Sequence, residues 1–185
     1  GFHFDAFDKH IYTPIVKKEI REQKRQNHGH YTVYLPAYSD EKIMKVLSQV
    51  KGAYWHVFSK HSRKKYRVRN VAIEPVNNES FIESMTTAAG VLCGAGFETP
   101  SEALYLEKKL MVIPMKGQYE QQCNAKALKD MGVPVLKKLK EKKVDLITEW
   151  VSSERTVSVD YPDETNQIVE HIVAHEAREH FQIEA

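Results

Sequence analysis

Gly94-Ala95-Gly96 follows an apolar run, residues 90–93, and precedes Thr99, Pro100 and Glu102. Small residues between a strand and a helix leave backbone N–H groups open to an anion, and the helix dipole adds a partial positive charge at the same point. The chemistry on offer is the binding of a phosphate or diphosphate. Thr99 reads as an N-cap, Pro100 as the first helical residue, and Glu102, three residues after the cap, as the reciprocal half of a capping box. Each device, taken alone, also has a structural use. Gly-Ala-Gly makes a tight turn, Glu102 completes the cap, and the pair Gln121-Gln122 is solvated surface. Cys93 and Cys123 are the two cysteines. Neither has metal-ligand spacing, and together they indicate a reduced compartment. Cys93 reads as a small buried hydrophobe.

The order of the pieces is more specific than any one of them. A small-residue loop, then Ser101-Glu102, an apolar strand ending in Pro114, Gln121-Gln122 and Asn124-Ala125 resembles the donor half of the GT-B glycosyltransferases. The likeness is strongest to the bacterial enzymes that add N-acetylglucosamine to the peptidoglycan lipid intermediate, and it is close over residues 93–102 and 114–125. The resemblance implies that Gly94, Ala95, Gly96 and Phe97 face a diphosphate with Thr99 and Ser101 beside them, and that Glu102 holds ribose hydroxyls. It also implies that Gln118, Gln121, Gln122 and Asn124 reach the transferred sugar or its phosphates, and that backbone groups near Glu74 and Val76 meet the base edge. The chemistry agrees, because a carboxylate accepts two hydrogen bonds from a vicinal diol and glutamine both donates and accepts. One turn departs from the pattern. In the relatives, the turn after the first strand is rich in Gly and Ser, whereas here it reads Leu35-Pro36-Ala37-Tyr38-Ser39, leaving Ser39 and the helix after it as donors.

By the same resemblance the donor is a nucleotide diphosphate sugar, UDP-linked, and is a substrate, so no cofactor is expected. No Asp-x-Asp occurs in the chain, which fits the metal-independent class. Everything recognisable belongs to the second half of a two-halved protein. The expected partners are therefore the nucleotide-sugar donor and an acceptor-binding half or partner subunit, without which the chain is expected to be inactive; no catalytic base is assigned. Gly1 in place of Met points to a processed or excised chain. Two alternatives stay open: a non-catalytic donor-binding subunit that works with a separate chain, and a sugar-nucleotide 2-epimerase of the same fold.

Composition sets the outer bounds. The 185 residues suit one domain with an appended helix. A hydrophobic share of 42% with 28% charged residues is that of an ordinary globular chain. No signal peptide or membrane span is evident, so a cytoplasmic location is expected. Twenty-seven Lys and Arg against 25 Asp and Glu give no support for a nucleic-acid binder. The basic run at residues 60–69, KHSRKKYRVR, reads as a solvated loop, with contact to an anionic membrane surface as its functional alternative. His171 and His175, with Glu176 and Glu179 nearby, do not meet a zinc-protease pattern, because Ile172 stands where the general-base Glu belongs.

The elements that must position these groups alternate between strand and helix, which predicts a doubly wound, Rossmann-like parallel α/β sheet, one half of a GT-B fold, with C-terminal helices. Residues 1–27 are expected to form a linking segment with an amphipathic helix in which Ile15, Val16 and Ile20 share a face. Residues 28–155 form the nucleotide-sugar domain and 156–185 a C-terminal helix. Strands are expected at 30–35, 54–58, 71–73, 90–93 and 111–113. The helices are expected from a cap at Ser39 or Asp40, from a cap at Asn78, and over residues 99 onward, 120–131, 138–151 and 164–180. The loops at 94–96, after Pro75 and over 114–122 should converge beyond the strands' carboxyl ends.

Overall fold

The computed structural model describes residues 1–5 and 11–183, with side chains through residue 175. Its centre is a six-stranded sheet of β1 (His30–Tyr34), β2 (Tyr54–Ser59), β3 (Tyr66–Val68), β4 (Val71–Pro75), β5 (Gly90–Gly94) and β6 (Lys109–Ile113), in the order β3-β4-β2-β1-β5-β6. Pairings among β4, β2, β1, β5 and β6 are all parallel. β3 alone runs antiparallel, against β4. The basic run hid it: all three of its residues are exposed, so no buried face marks it as a strand, and its charges suit an edge. Arg69, at φ 57°, and Asn70 turn the chain back into β4, and the Asn70 amide donates to the Val50 and Ala53 carbonyls.

Helices cover both faces. α2 (Asp40–Leu47) and α6 (Val144–Ser152) bury Ile43, Val46, Leu47, Ile147 and Trp150 with Val33, Trp55, Val57 and Leu92. On the other face α3 (Asn78–Thr87), α4 (Glu98–Tyr105) and α5 (Tyr119–Asp130) bury Met85, Ala103, Leu104 and Leu128 with Val91, Cys93 and Val112. Period-two alternation sends Leu92 to one layer and its neighbours Val91 and Cys93 to the other. Buried on both faces, these strands read as the near-continuous apolar runs seen in the sequence.

Several boundaries differ from expectation. The first segment forms only one helical turn, α1 (Lys18–Arg21); Val16 and Ile20 are buried, but Ile15 is 44% exposed and does not share their face. The helix expected from residue 138 starts at Val144 after a short 3-10 turn, Glu141–Lys143. The segment before it is extended, buries Leu136 and Leu139, and bridges Val135 to Val112. The last helix, α7 (Thr165–Ile183), buries Ile168 but leaves Val169, Ile172 and Val173 exposed. Residues outside 28–155 pack on the α/β unit: Phe4, Val16, Ile20 and Tyr161 join the layer of Cys93 and Leu104, and the Tyr161 hydroxyl donates to the Phe4 carbonyl. No helix of the described residues is long and apolar enough to cross a membrane.

The cap of α3 is Asn77 rather than Asn78. Asn77 holds an extended backbone, φ −139° and ψ 137°, and its side-chain oxygen accepts from the Ser80 amide at 3.1 Å, the geometry an N-cap requires. Asn77→Ala is expected to lower stability by about 1 kcal/mol. Asn78→Ala, one position inside the helix, should change it far less. Denaturant unfolding of the two variants side by side checks the assignment, and equal losses would refute it.

Candidate functional site

The sheet order reverses between β1 and β5. From β1 the chain builds outward through β2 to β4, and then returns to the opposite side of β1 and continues to β6. Open α/β sheets bind ligands in the crevice at the carboxyl ends of the strands where this reversal occurs. A recess of about 90 Å³ lies there, walled by Tyr34 at the end of β1 and residues 35–38 after it, Cys93, Gly94, Gly96 and Thr99 from the β5–α4 junction, and Ile113, Met115 and Gln121 from the β6–α5 junction. A larger hollow of about 350 Å³, between β6, residues 132–136 and α6, includes Leu110, Val133 and Trp150. It shares no residue with the first recess and contains none of the predicted site residues.

The glycine loop leads into an uncapped helix. α4 starts at Glu98 after Phe97, and no side chain caps it. Thr99 and Pro100 therefore lie inside the first turn, so Thr99 is not the N-cap and Glu102 does not complete a capping box. The missing amide of Pro100 costs little there, since first-turn N–H groups have no intrahelical partner. A Cβ built on Gly96 meets nothing within 4 Å, so packing does not demand glycine at this position, and its absence of a side chain leaves the backbone accessible. Among the other residues expected to meet phosphate, Ala95 is buried and Phe97 packs on Phe4 with ring centroids 4.8 Å apart. The Ser101 hydroxyl is turned back onto the Phe97 carbonyl at 2.6 Å. Gly94, Gly96 and Thr99 reach the recess, and Ala95, Phe97 and Ser101 do not line it.

Gln121, Gln122 and Asn124 hold loops together. The Gln121 side-chain oxygen accepts from the Met115 amide at 2.9 Å, and the Gln122 side chain donates to the Met115 carbonyl at 3.1 Å. The Asn124 side chain donates to the Ala95 carbonyl at 3.2 Å. Of the three, Gln121 also lines the recess. Gln118, the residue before α5, is exposed. The family resemblance singled these residues out in the sequence, but which of their atoms face loop backbone depends on how β6 and β5 lie side by side.

Glu102 is only 5% exposed, and its Oε1 has no hydrogen-bond partner. Lys17, from the N-terminal segment, pairs with Glu98 and lies 3.7 Å from Oε1. Burial pushes the Glu102 carboxyl up to about 7; Lys17 opposes that shift and the Glu98 charge adds to it. The carboxyl is not on the wall of the recess. Lys17 escaped the sequence reading because nothing in the spacing ties residue 17 to residue 102. Burial, and secondarily the charge of Glu102, also push the Cys93 thiol up.

At the other expected contact, Glu74 is buried and its carboxylate meets His56 at 2.9 Å and Lys65 at 3.1 Å. Burial alone would raise its pKa, yet hydrogen bonds from His56, Ser80 and Lys65 hold it below the usual carboxylate range. The Val76 amide donates to the Ser59 carbonyl at 2.9 Å. Ser39 caps α2, accepting from the Lys42 amide at 3.4 Å. Ser39, Glu74 and Val76 do not line the recess. Cys93 and Cys123 are free thiols, one buried and one exposed. His171 accepts or donates at Nδ1 to the Tyr12 hydroxyl at 2.7 Å. Glu176 and Glu179 lie outside the described side chains, and no group of three or more metal-ligating side chains occurs among the described residues.

A switch-point recess with a glycine loop and an uncapped helix start, on a mostly parallel sheet with a helical layer on each face, is the architecture of the Rossmann-like half of a GT-B glycosyltransferase. The chain belongs to glycosyl transferase family 1, whose model matches residues 4–153. No curated protein matches it. Among solved structures it is similar to the glycotransferase of kitacinnamycin, with a TM-score of 0.57 and 13% identity over 77% of this chain and 41% of that one. It is also similar to LpCGTa in complex with UDP, with a TM-score of 0.53 and 11% identity over 78% of this chain and 40% of that one. VinC in complex with dTDP gives a TM-score of 0.52 and 10% identity over 77% of this chain and 40% of that one. At these identities the likeness is one of fold. The chain spans about two-fifths of the length of these structures.

Proposed function

We propose that this chain is the donor-binding half of a glycosyltransferase that moves a sugar from a nucleotide diphosphate, UDP in the first instance, to an acceptor held by another half or a partner chain. The observation that carries the reading is the convergence of Gly94, Gly96, Thr99 and Gln121 on one recess at the β1/β5 switch point, beside the uncapped start of α4. In transfer, the bond from the anomeric carbon to the diphosphate oxygen breaks and its electron pair stays on the diphosphate. The acceptor hydroxyl attacks the carbon, and its proton goes to a base that we place outside this chain. Amides in the first turn of α4 meet the charge that grows on the leaving group, which is stabilisation by preorganised dipoles. Gln121, Gln122 and Asn124 then act chiefly by fixing the two loops against each other. Two of the similar structures are complexes with UDP and with dTDP, which supports a nucleotide diphosphate as the donor's leaving group.

Calorimetric titration of the chain with UDP, GDP and dTDP tests this reading. UDP should bind, and a folded chain that binds none of the three has no donor site. Glu102→Ala should weaken UDP several-fold if a donor ribose reaches the orphaned Oε1. Unchanged affinity would remove Glu102 from the site while leaving the recess in place.

A further inference from the structure

The walls of the recess carry no cation: the side chains contributed by Tyr34, Tyr38, Thr99 and Gln121 are neutral. Its β1 side is also poor in amides. Pro36 has none, and the Tyr38 amide is committed to the Leu35 carbonyl. A nucleotide diphosphate sugar carries two negative charges, whereas a helix start offers about half a positive one. Lys60 and His61 stand immediately outside. Lys60 places its ammonium 5.9 Å from the centre of the Tyr34 ring, and the His61 ring meets the Pro36 carbonyl through Nε2 at 3.3 Å. Tyr34 and Pro36 both line the recess.

We propose that the Lys60 ammonium, with the His61 ring beside it at the carboxyl end of β2, is the polar wall against which the diphosphate of a nucleotide is held in this recess, in place of the glycine-rich turn that β1 lacks. This rests on the donor-binding reading above. Three features separate these residues from an ordinary solvated run of charge. The backbone beneath them is pinned: buried Ser59 donates to Asp40 Oδ1 at 2.6 Å and accepts from the amides of His61 at 2.9 Å and Ser62 at 3.0 Å. The buried Asp40 carboxylate is occupied by Ser59 and by the Tyr66 hydroxyl, and Lys60 makes no ion pair among the described residues. Lastly, the loop lies between the two ends a nucleotide would span, because the Ser59 carbonyl also takes the Val76 amide from the loop after β4. Lysine is a mobile point charge well suited to a diphosphate whose position is fixed by other groups.

The test compares UDP with uridine on the whole chain, in wild type, Lys60→Met, His61→Gln and the double variant. Lys60→Met should weaken UDP about ten-fold and leave uridine unchanged, the size of a lost charge-assisted contact. The salt dependence of UDP binding should fall with it. Lys64→Met, farther along the same loop, is the control and should alter neither. The proposal is overturned if the ratio of UDP to uridine affinity is the same in Lys60→Met as in wild type, if Lys64→Met lowers it equally, or if wild type does not prefer UDP to uridine. If wild type binds neither compound, the donor-binding reading itself fails, a result distinct from the first three.

Discussion

Glu102→Gln is expected to stabilise this protein by about 3 kcal/mol at pH 8 and to leave it unchanged near pH 4. Burial raises the folded-state pKa of this carboxyl from the ordinary 4.5 to about 7, and each tenfold change in proton affinity corresponds to about 1.4 kcal/mol. A carboxyl with a raised folded pKa favours folding while it is protonated. That contribution is complete below about 4.5, is lost as pH rises, and is gone above about 7. Above that point the chain holds a buried charge with Lys17 at 3.7 Å as its partner and no hydrogen bond to Oε1. Glutamine has the shape of the neutral acid and does not titrate. Chemical denaturation at several pH values should therefore show wild-type stability falling between pH 4.5 and 7, and the variant should lack that component of the fall. Parallel profiles would show that the carboxyl is not desolvated. If the donor ribose uses this carboxylate, the same variant binds UDP less tightly while unfolding less readily. That combination marks a group kept for binding rather than for the fold.

Gly90 governs the second large effect. A Cβ at this position would stand 2.9 Å from the Lys109 carbonyl oxygen on β6 and 2.9 Å from a ring carbon of Tyr31 on β1. The first of these is backbone and cannot rotate away. Gly90→Val is expected to destabilise by about 3 kcal/mol, as overpacking of a well-filled interior does, and Gly90→Ala by less. The midpoint of denaturant unfolding should move down with the slope unchanged. A neutral or more stable Gly90→Ala would mean that β1 and β6 part readily around β5, and that the Gly94–Gly96 loop is less firmly placed than the sheet implies.

Most of the strands were legible because they are buried on both faces and read as short apolar runs between turn residues, as in the stretch from Val91 to Cys93. β3 was not, because Tyr66, Arg67 and Val68 are exposed and their pairing depends on β4 lying beside them. The candidate recess was legible only as a set of loops. Gly94, Gly96, Thr99 and Gln121 line one recess at the strand ends, the place where open α/β sheets commonly bind ligands. The direction of individual side chains was not legible. A spacing of three residues suggested that Glu102 would reach back to a cap at Thr99, but α4 begins one residue before Thr99, and Glu102 instead lies beside a lysine 85 positions earlier.

By itself, the sequence determined the class of fold, the family likeness and the segment that carries the glycine loop, because periodicity, turn chemistry and motif order are local properties of the chain. The tertiary structure decided which polar atoms are already engaged. It turned Gln121 and Gln122 onto the Met115 backbone, buried the Glu102 carboxyl against Lys17, and brought Lys60 and His61 beside the turn after β1. Those outcomes follow from strand order and from desolvation, and both are set by contacts between residues far apart in the chain.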